Sequence, residues 1–444
     1  MTHTHSNQNL LGIKDPNIKF TSDLEQETYQ AVLAYRSSGK KNDRNLEKKV
    51  LTVCGYLDNM PSECRYCGCV NNGAKDMVRN GRMKTALLIG QYNFQPVYLK
   101  LEKQRYLCKH CRKTTVAKTS LIKRHCCISN PVKQLIREEL AELQSMTLIG
   151  RHLNVSTHTV MRELERWGDN LRPRPASLPI HLAIDEFKSV KHVIGSMSCI
   201  LMNNHTHEVI DILEDRTQSY LRAYFLRFSL AERLNVQTIT MDMYSPYHEF
   251  LPSLFPNAEI IIDRFHIVQL LHRVLNQYRI VVMNQFKNER PRDYRKLKQL
   301  WKLLLKPRET LDFEHYQTHR LFDGFMTEKR IVSYLTQLDT RLSLVYNHVH
   351  RIVEAVRRHS FKELIHRLEE TKKYVFPQKV RTAFNTLFKY RLEIENSLKY
   401  TLSNGVVEGT VNKIKMIKRS GYGYRNFGHL RCRILISTQF KKTN

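Results

Sequence analysis

The sequence predicts a multidomain α/β protein, and three observations carry that expectation. Apolar runs of strand and helix period alternate as β-β-β-α-β-α-β-α between residues 180 and 281, which suggests a mixed sheet covered by helices. Paired cysteines sit among short strand-like runs nearer the N-terminal end. Helical periodicity rich in Lys and Arg then fills residues 282–400, where the α/β alternation does not resume. At 444 residues the chain is long enough for two or three domains and can bury a substantial core in at least one.

Lys and Arg total 72 against 42 Asp and Glu, a formal charge of +30 spread along the chain. From Val411 to Asn444 there are nine basic residues and no acid. Such a field attracts polyanions, and phosphate neutralisation makes nucleic acid the expected partner. No apolar run approaches the roughly 20 residues that span a bilayer, so no membrane partner is expected. The start "MTHTHSNQNLLGIKD" lacks the basic and apolar regions of a signal peptide. A cytoplasmic protein is expected, and its ten cysteines are then reduced thiols or metal ligands.

In chain order, residues 1–45 read as a loosely ordered polar arm leading into a helix. Residues 46–125 carry Cys64-x-x-Cys67 and Cys108-x-x-Cys111. Each pair aims two thiolates at one centre, and two pairs complete a tetrahedral sulfur site suited to structural Zn²⁺. The strand-rich segment between them, with "NNG" and "RNG" turns, predicts a zinc ribbon. Cys69 and His110 are substitute ligands by position, and Cys54, Cys126 and Cys127 read as small buried residues. Within residues 130–168, "MTLIGRHLNVSTHTVMRELERW" has helix-turn-helix spacing, with Ile149, Leu153, Val155, Val160 and Leu164 inside. Gly150 permits close crossing, Asn154 tolerates a left-handed turn and Ser156 caps the second helix. His158, Thr159 and Arg162 would then meet DNA in the major groove. Residues 169–179 follow as a linker interrupted by Pro173, Pro175 and Pro179.

The expected α/β body opens with the strand "IHLAIDEF", and its fourth strand is "VQTITMDM". Asp185 and Asp242 lie in these apolar runs, where an unpaired carboxylate is expensive. Glu408 lies in "SNGVVEGTVNKIKMIKR", a helix-like segment capped by Ser403 or Asn404 and followed by Lys413, Lys415, Lys418 and Arg419 to hold phosphates. Three such carboxylates can hold two Mg²⁺ (or Mn²⁺) ions, which activate one oxygen and stabilise another in phosphodiester chemistry. Glu186 competes with Asp185 but alternates to the opposite face, and Glu249, Glu393 and Glu395 compete with Glu408. Asp263 and His266 form D-x-x-H after the fifth strand, a pattern that fits an active-site orienting pair and a core histidine equally. Tyr422, Tyr424, Arg425 and Phe427 interleave aromatics with Arg, suited to stacking on bases or to packing.

Taken together, "NLLGIKDPNIKF", both CxxC pairs, "AIDEF", "TMDMYSPY", "IIDRFHI", "SNGVVEGTVNKIKMIKR" and "GYGYRNFGHLRCRIL" resemble the ISL-three family of bacterial insertion-sequence transposases over essentially the full length. The resemblance implies a ribonuclease H-like catalytic domain built from 180–281 and 401–440, interrupted by a helical insertion at 282–400. It implies binding to an element's terminal inverted repeats, Mg²⁺-dependent cleavage, and transfer of the freed 3′-OH to target DNA. It carries the family's D-D-E triad onto Asp185, Asp242 and Glu408, and a D-x-x-H signature onto Asp263 and His266. Double-stranded DNA, an assembly of at least two copies on it, and the bacterial nucleoid are the expected surroundings. A DNA-binding regulator on a catalytically idle scaffold and a nuclease without strand transfer are the rival expectations.

Overall fold

The computed structural model describes residues 11–13, 15–35, 47–171, 177–193, 195–243, 245–402 and 404–439. Residues 172–176 of the proline-interrupted linker and the cap candidate Ser403 lie outside these residues. The chain divides into two compact units, Met1–Arg172 with Lys415–Asn444, and Pro173–Ile414.

The first unit is built on a six-stranded sheet of β1 (Ile18–Phe20), β2 (Glu25–Thr28), β3 (Lys49–Leu57), β4 (Met77–Tyr92), β5 (Gln95–Cys108) and β6 (Thr114–Val116). β4 and β5 form a long hairpin whose turn residues Asn93 and Phe94 both have positive φ, as a two-residue turn matched to strand twist requires. Of the expected loose arm, residues 18–20 and 25–28 are instead paired strands, while 1–10, 14 and 36–45 lie outside the described residues. Ile18–Phe20 pairs antiparallel with β3 through Leu57, and Glu25–Thr28 pairs with Lys49–Thr52. The short helix α1 (Tyr29–Tyr35) follows, as expected. Three helices come next, α2 (Asn130–Ala141), α3 (Met146–His152) and α4 (Thr157–Asn170). Ser129, Ser145 and Ser156 cap them, each side chain accepting a backbone N–H.

In the second unit, β7 (His181–Lys188) pairs antiparallel with β8 (Met197–Asn203), and β8 antiparallel with β9 (Val209–Leu213). Helices α5 (Gln218–Phe225) and α6 (Leu230–Leu234) lead to β10 (Thr238–Met241), then α7 (Ser245–Leu254) and β11 (Glu259–Ile262). β10 lies parallel to both β7 and β11, giving a mixed sheet in the order β11-β10-β7-β8-β9. Leu182, Ile184, Leu201 and Ile239 of the sheet pack against Phe225, Phe250 and Leu251 of the helices. This is the expected alternation, with α6 added.

Beyond β11 the long helix α8 (Arg264–Gln285) opens a second core, shared with α9 (Pro291–Gln299), α10 (Trp301–Leu305), α11 (Glu328–Gln337), α12 (Thr340–Arg357), α13 (Phe361–Thr371), α14 (Gln378–Lys389) and α15 (Arg391–Lys399). The helical stretch expected from the sequence is thus present, with one two-residue hairpin, Gln317–Thr318 against Phe325–Met326. α15 returns to the edge strand β11: Asn396 Nδ2 donates to Ile260 O at 3.0 Å and the Ser397 hydroxyl donates to Ile262 O. These bonds cover carbonyls that an edge strand would leave open.

The last helices, α16 (Gly405–Ser420) and α17 (Phe427–Gln439), depart from expectation. The division between units falls inside α16, after Ile414, so α17 joins the N-terminal unit and not the mixed sheet. Cys432 and Ile436 of α17 share a core with Ile136, Leu140, Ile149, Val160 and Leu164. Arg433, fully buried, donates to Glu142 O at 2.6 Å and Gln144 O at 2.7 Å beyond the end of α2. The expected placement of 401–440 in the catalytic domain is corrected for α17, whose buried residues from Leu430 to Ser437 belong to the first unit.

Candidate functional site

Three carboxylates line up across the carboxyl ends of parallel strands. Thr240 of β10 pairs with Ala183 of β7, so Asp242, two residues on, stands level with Asp185. Met241 pairs with Ile262 of β11, which puts Asp263 level with Asp242 on its other side, and the Asp263 N–H donates to Met241 O at 3.1 Å. Neighbouring strands are about 4.8 Å apart, and such strand ends are where open α/β sheets hold ligands.

The electrostatics follow from this crowding. Burial, with Asp242 beside it, pushes the Asp185 carboxyl up to about 6. Its Oδ1 accepts the Glu186 N–H at 2.7 Å. Asp263 caps α8 by accepting the Phe265 N–H, and burial raises its carboxyl as well. His266, in the first turn of α8, brings Nε2 within 2.6 Å of Asp242 Oδ1. That contact raises the imidazole above its usual range, favouring the cation. His266 is half-buried and in contact with this carboxylate.

Glu186 points the other way, as alternation requires. The Tyr247 hydroxyl donates to its Oε1 at 2.7 Å and Arg216 pairs with its Oε2. Tyr247 and Arg216, which hold this strand end, carried no signal in the sequence. Glu393 is engaged by His248 at 3.6 Å, and Glu249 is exposed on α7.

Glu408 lies in the first turn of α16, in the same unit as Asp185 and Asp242, and is exposed. Val407, Val411, Ile414 and Ile417 form the buried stripe of that helix. Glu408, Asn412, Lys415 and Arg419 recur along its exposed side, while Lys413 and Lys418 are half-buried. Among the described residues, the carboxylates of Asp185, Asp242 and Glu408 do not cluster with all ligand oxygens within 4.8 Å of one another. Strand register brings Asp185, Asp242 and Asp263 to one sheet end, with His266 on Asp242, though among the described residues no three of these groups meet that spacing either; Glu408 is carried by α16.

In the first unit the four cysteines converge. Cys64 Sγ lies 3.6 Å from Cys111 Sγ, and Cys67 Sγ lies 3.8 Å from Cys108 Sγ, with all four sulfurs within 4.8 Å. A tetrahedral ion with bonds of about 2.3 Å to sulfur needs sulfur–sulfur edges of about 3.8 Å, so the set fits Zn²⁺. The two knuckles are built alike. The Gly68 N–H donates to Cys64 O and the Arg112 N–H to Cys108 O, with both Gly68 and Arg112 at positive φ. Backbone N–H groups of Tyr66 and Cys67 lower the Cys64 thiol to about 6, which favours the ligating thiolate. Cys69 and His110 are not in this set; with Asp76 they form a second cluster, in which His110 Nε2 meets Asp76 Oδ1 at 2.8 Å.

The turn between α3 and α4 has the close geometry its sequence suggested. Asn154 is left-handed, and a Cβ at Gly150 would sit 2.9 Å from Val155 O. His158 and Arg162 are exposed on α4. Thr159 is not: it is 7% exposed, and its hydroxyl meets Ser156 Oγ at 3.0 Å and accepts from Arg162 at 3.1 Å. Its expected role as a DNA contact is corrected to holding Ser156 and Arg162. Arg425 and Tyr422 are exposed beyond α16, while Tyr424 is half-buried. Among the described residues no helix is long and apolar enough to cross a membrane.

Residues 182–434, more than half of the chain, match a family described as "Transposase", the ISL-three family of the D-D-E type. The chain is 24% identical over 337 residues to "Transposase for insertion sequence element IS1001" of Bordetella parapertussis, covering 74% of this chain and 78% of that one. It is also 32% identical over 114 residues to a protein of Lactococcus lactis subsp. lactis named "ATP-dependent protease", covering 25% of this chain and 35% of that one. No G-x-x-x-x-G-K-[ST] phosphate loop occurs in the present sequence.

Proposed function

Because the chain belongs to the ISL-three family of transposases, we propose that it binds the terminal inverted repeats of its element and performs metal-dependent DNA cleavage and strand transfer. The observation that carries this reading is the level placement of Asp185 and Asp242 on adjacent parallel strands, with His266 gripping Asp242. Both acids lie inside the segment that matches the family. The strand order, three antiparallel strands followed by two parallel ones, supports the ribonuclease H-like core that the family resemblance implies.

Asp185 and Asp242 offer hard oxygen donors, and their mutual repulsion in a half-buried site favours a divalent cation such as Mg²⁺. A bound pair of such ions supplies charge stabilisation to the attacking and leaving oxygens. Asp185 and Asp242 hold their side of that charge, and Glu408, on the same unit, is the third donor from α16. His266 keeps Asp242 oriented by its contact at Oδ1. The nucleophile is water in cleavage and the DNA 3′-OH in transfer, so no side chain becomes covalently attached. Cys64, Cys67, Cys108 and Cys111 hold structural Zn²⁺. The α3–α4 pair acts as a helix-turn-helix, with His158 and Arg162 on DNA, while Lys413, Lys415, Lys418, Arg419 and Arg425 hold phosphates. Pairing two element ends calls for at least two copies on DNA.

The test incubates purified protein and Mg²⁺ with labelled DNA carrying the element end, wild type beside Asp242→Asn. Nicking at the element boundary is expected from wild type, and none from the variant. Equal DNA binding with no cutting by either protein, in Mg²⁺ or Mn²⁺, would overturn the enzymatic reading and favour a regulator. Cutting without joined products would leave a nuclease.

A further inference from the structure

A cleft of about 500 Å³ lies beside β5 in the first unit, on the side of the segment 114–127. Its lining includes Arg65, Lys103, Lys118, Lys123 and Arg124, and no Asp or Glu. Lys103 is the unusual member. It continues the alternation of Val97, Leu99 and Leu101, all buried in the sheet's core, and is itself only 9% exposed. Among the described residues no carboxylate pairs with its ammonium and no oxygen accepts from it. Neighbouring polar groups are committed elsewhere: the Thr115 hydroxyl donates to Tyr106 O, and that of Thr119 donates to Asp15. Burial lowers the pKa of Lys103, with the Cys127 thiol as the nearby group that opposes the shift.

An ammonium carried on a mostly buried side chain is disfavoured by desolvation, and a nearby anion relieves that cost. Here its position opens into a cleft walled by four further cationic side chains. That composition, five cations and no acid, excludes a cation, while Tyr66, Met83, Val116 and Ile122 supply apolar wall between the charges. A tetrahedral oxyanion satisfies it, since phosphate oxygens accept several charge-assisted hydrogen bonds from Lys and Arg. The geometry points to a phosphate-binding cleft in the cysteine-bearing unit, with Lys103 as its innermost cation and Arg65, Lys118, Lys123 and Arg124 around it. The phosphoryl group comes either from a nucleic-acid backbone or from free phosphate. Only the first source rests on the DNA-handling function proposed above.

The test labels the zinc-loaded full-length protein by reductive methylation, with modification of Lys103 read by peptide mass spectrometry. Labelling is compared at constant ionic strength in chloride, in inorganic phosphate, and with a saturating 30-base-pair duplex of unrelated sequence. Several-fold shielding of Lys103 by phosphate and by duplex, with exposed Lys48 unchanged in phosphate, is expected for a backbone site. Shielding by phosphate alone assigns the cleft to the free anion. No shielding by either overturns the proposal. Lys103→Met keeps the side-chain volume and removes the charge; in a backbone site it lowers the slope of log affinity against log salt by about 0.9. An unchanged slope and affinity, with duplex bound normally, removes the backbone source. Failure of the wild type to bind duplex while phosphate still shields Lys103 would instead refute the DNA-handling function and leave the cleft standing.

Discussion

Asp185 carries a carboxylate whose surroundings resist its ionisation, and this separates its value for catalysis from its effect on stability. Burial and Asp242 raise the carboxyl from the usual 3.8 to about 6. A carboxyl raised by folding contributes stability while protonated, below about 3.8, and loses that contribution as pH climbs through about 6. The difference corresponds to at most about 3 kcal/mol. Asp185→Asn cannot ionise. In magnesium-free buffer with zinc retained, it should melt several degrees above wild type at pH 7, and the gap should close by pH 4. A gap that is absent, or constant with pH, would show that Asp185 is not held against its charge. The same variant should not cleave DNA. His266 acts on the neighbouring acid, through its 2.6 Å contact with Asp242. His266→Ala should slow cleavage by about 10–100-fold, the usual cost of losing a group that orients a metal ligand. Duplex affinity should stay unchanged while the Mg²⁺ concentration for half-maximal rate rises. An unaltered Mg²⁺ requirement would reduce His266 to a packing role.

Helix α17 shows where reading by elements succeeds and where it stops. The strands of the second unit were legible because apolar runs such as "IHLAIDEF" and "AEIIID" are bounded by turn residues, and the helices because their apolar period is long. The cysteine site was legible because two CxxC spacings constrain four sulfurs at once. β1 and β2 were not: one is three residues long, the other reads Glu-Gln-Glu-Thr, and both exist through pairing with β3. Asp185 and Asp242 could be named from sequence, but their level placement comes from strand register. The partner of α17 was out of reach because its contacts, Leu140, Leu164 and Gly168, lie more than 250 residues before it. That packing is tight enough to test. A Cβ at Gly168 would fall 2.1 Å from Cys432 Sγ and 2.3 Å from its Cβ, so α4 and α17 can touch only because residue 168 has none. Gly168→Ala should therefore destabilise the first unit by about 1–3 kcal/mol through overpacking. Thermal melts should show an earlier first transition while that of the second unit stays in place. A single unshifted melt would mean that the helices accommodate the methyl group.

A charge of +30 on 444 residues makes salt the variable that sorts the molecule's DNA contacts. Each phosphate neutralised steepens the fall of log affinity with log salt by about 0.9, and six to ten such contacts weaken binding about 10³–10⁵-fold between 50 and 200 mM. The exposed cations fall into two sets with different expected behaviour. Lys415 and Arg419 are exposed on α16, where a DNA backbone would meet them. The double variant Lys415→Ala, Arg419→Ala should lower the salt slope by about 2 and weaken element-end and unrelated duplexes alike. Arg162 is exposed on α4 and steadied by Thr159, so Arg162→Ala should cost about 1–3 kcal/mol on the element end and far less on unrelated DNA. Binding titrations of both duplexes across salt concentrations separate the two. If α16 variants erase discrimination while Arg162→Ala only shifts the slope, the assignments of reader and grip are reversed, and α16 would then be the element that reads sequence.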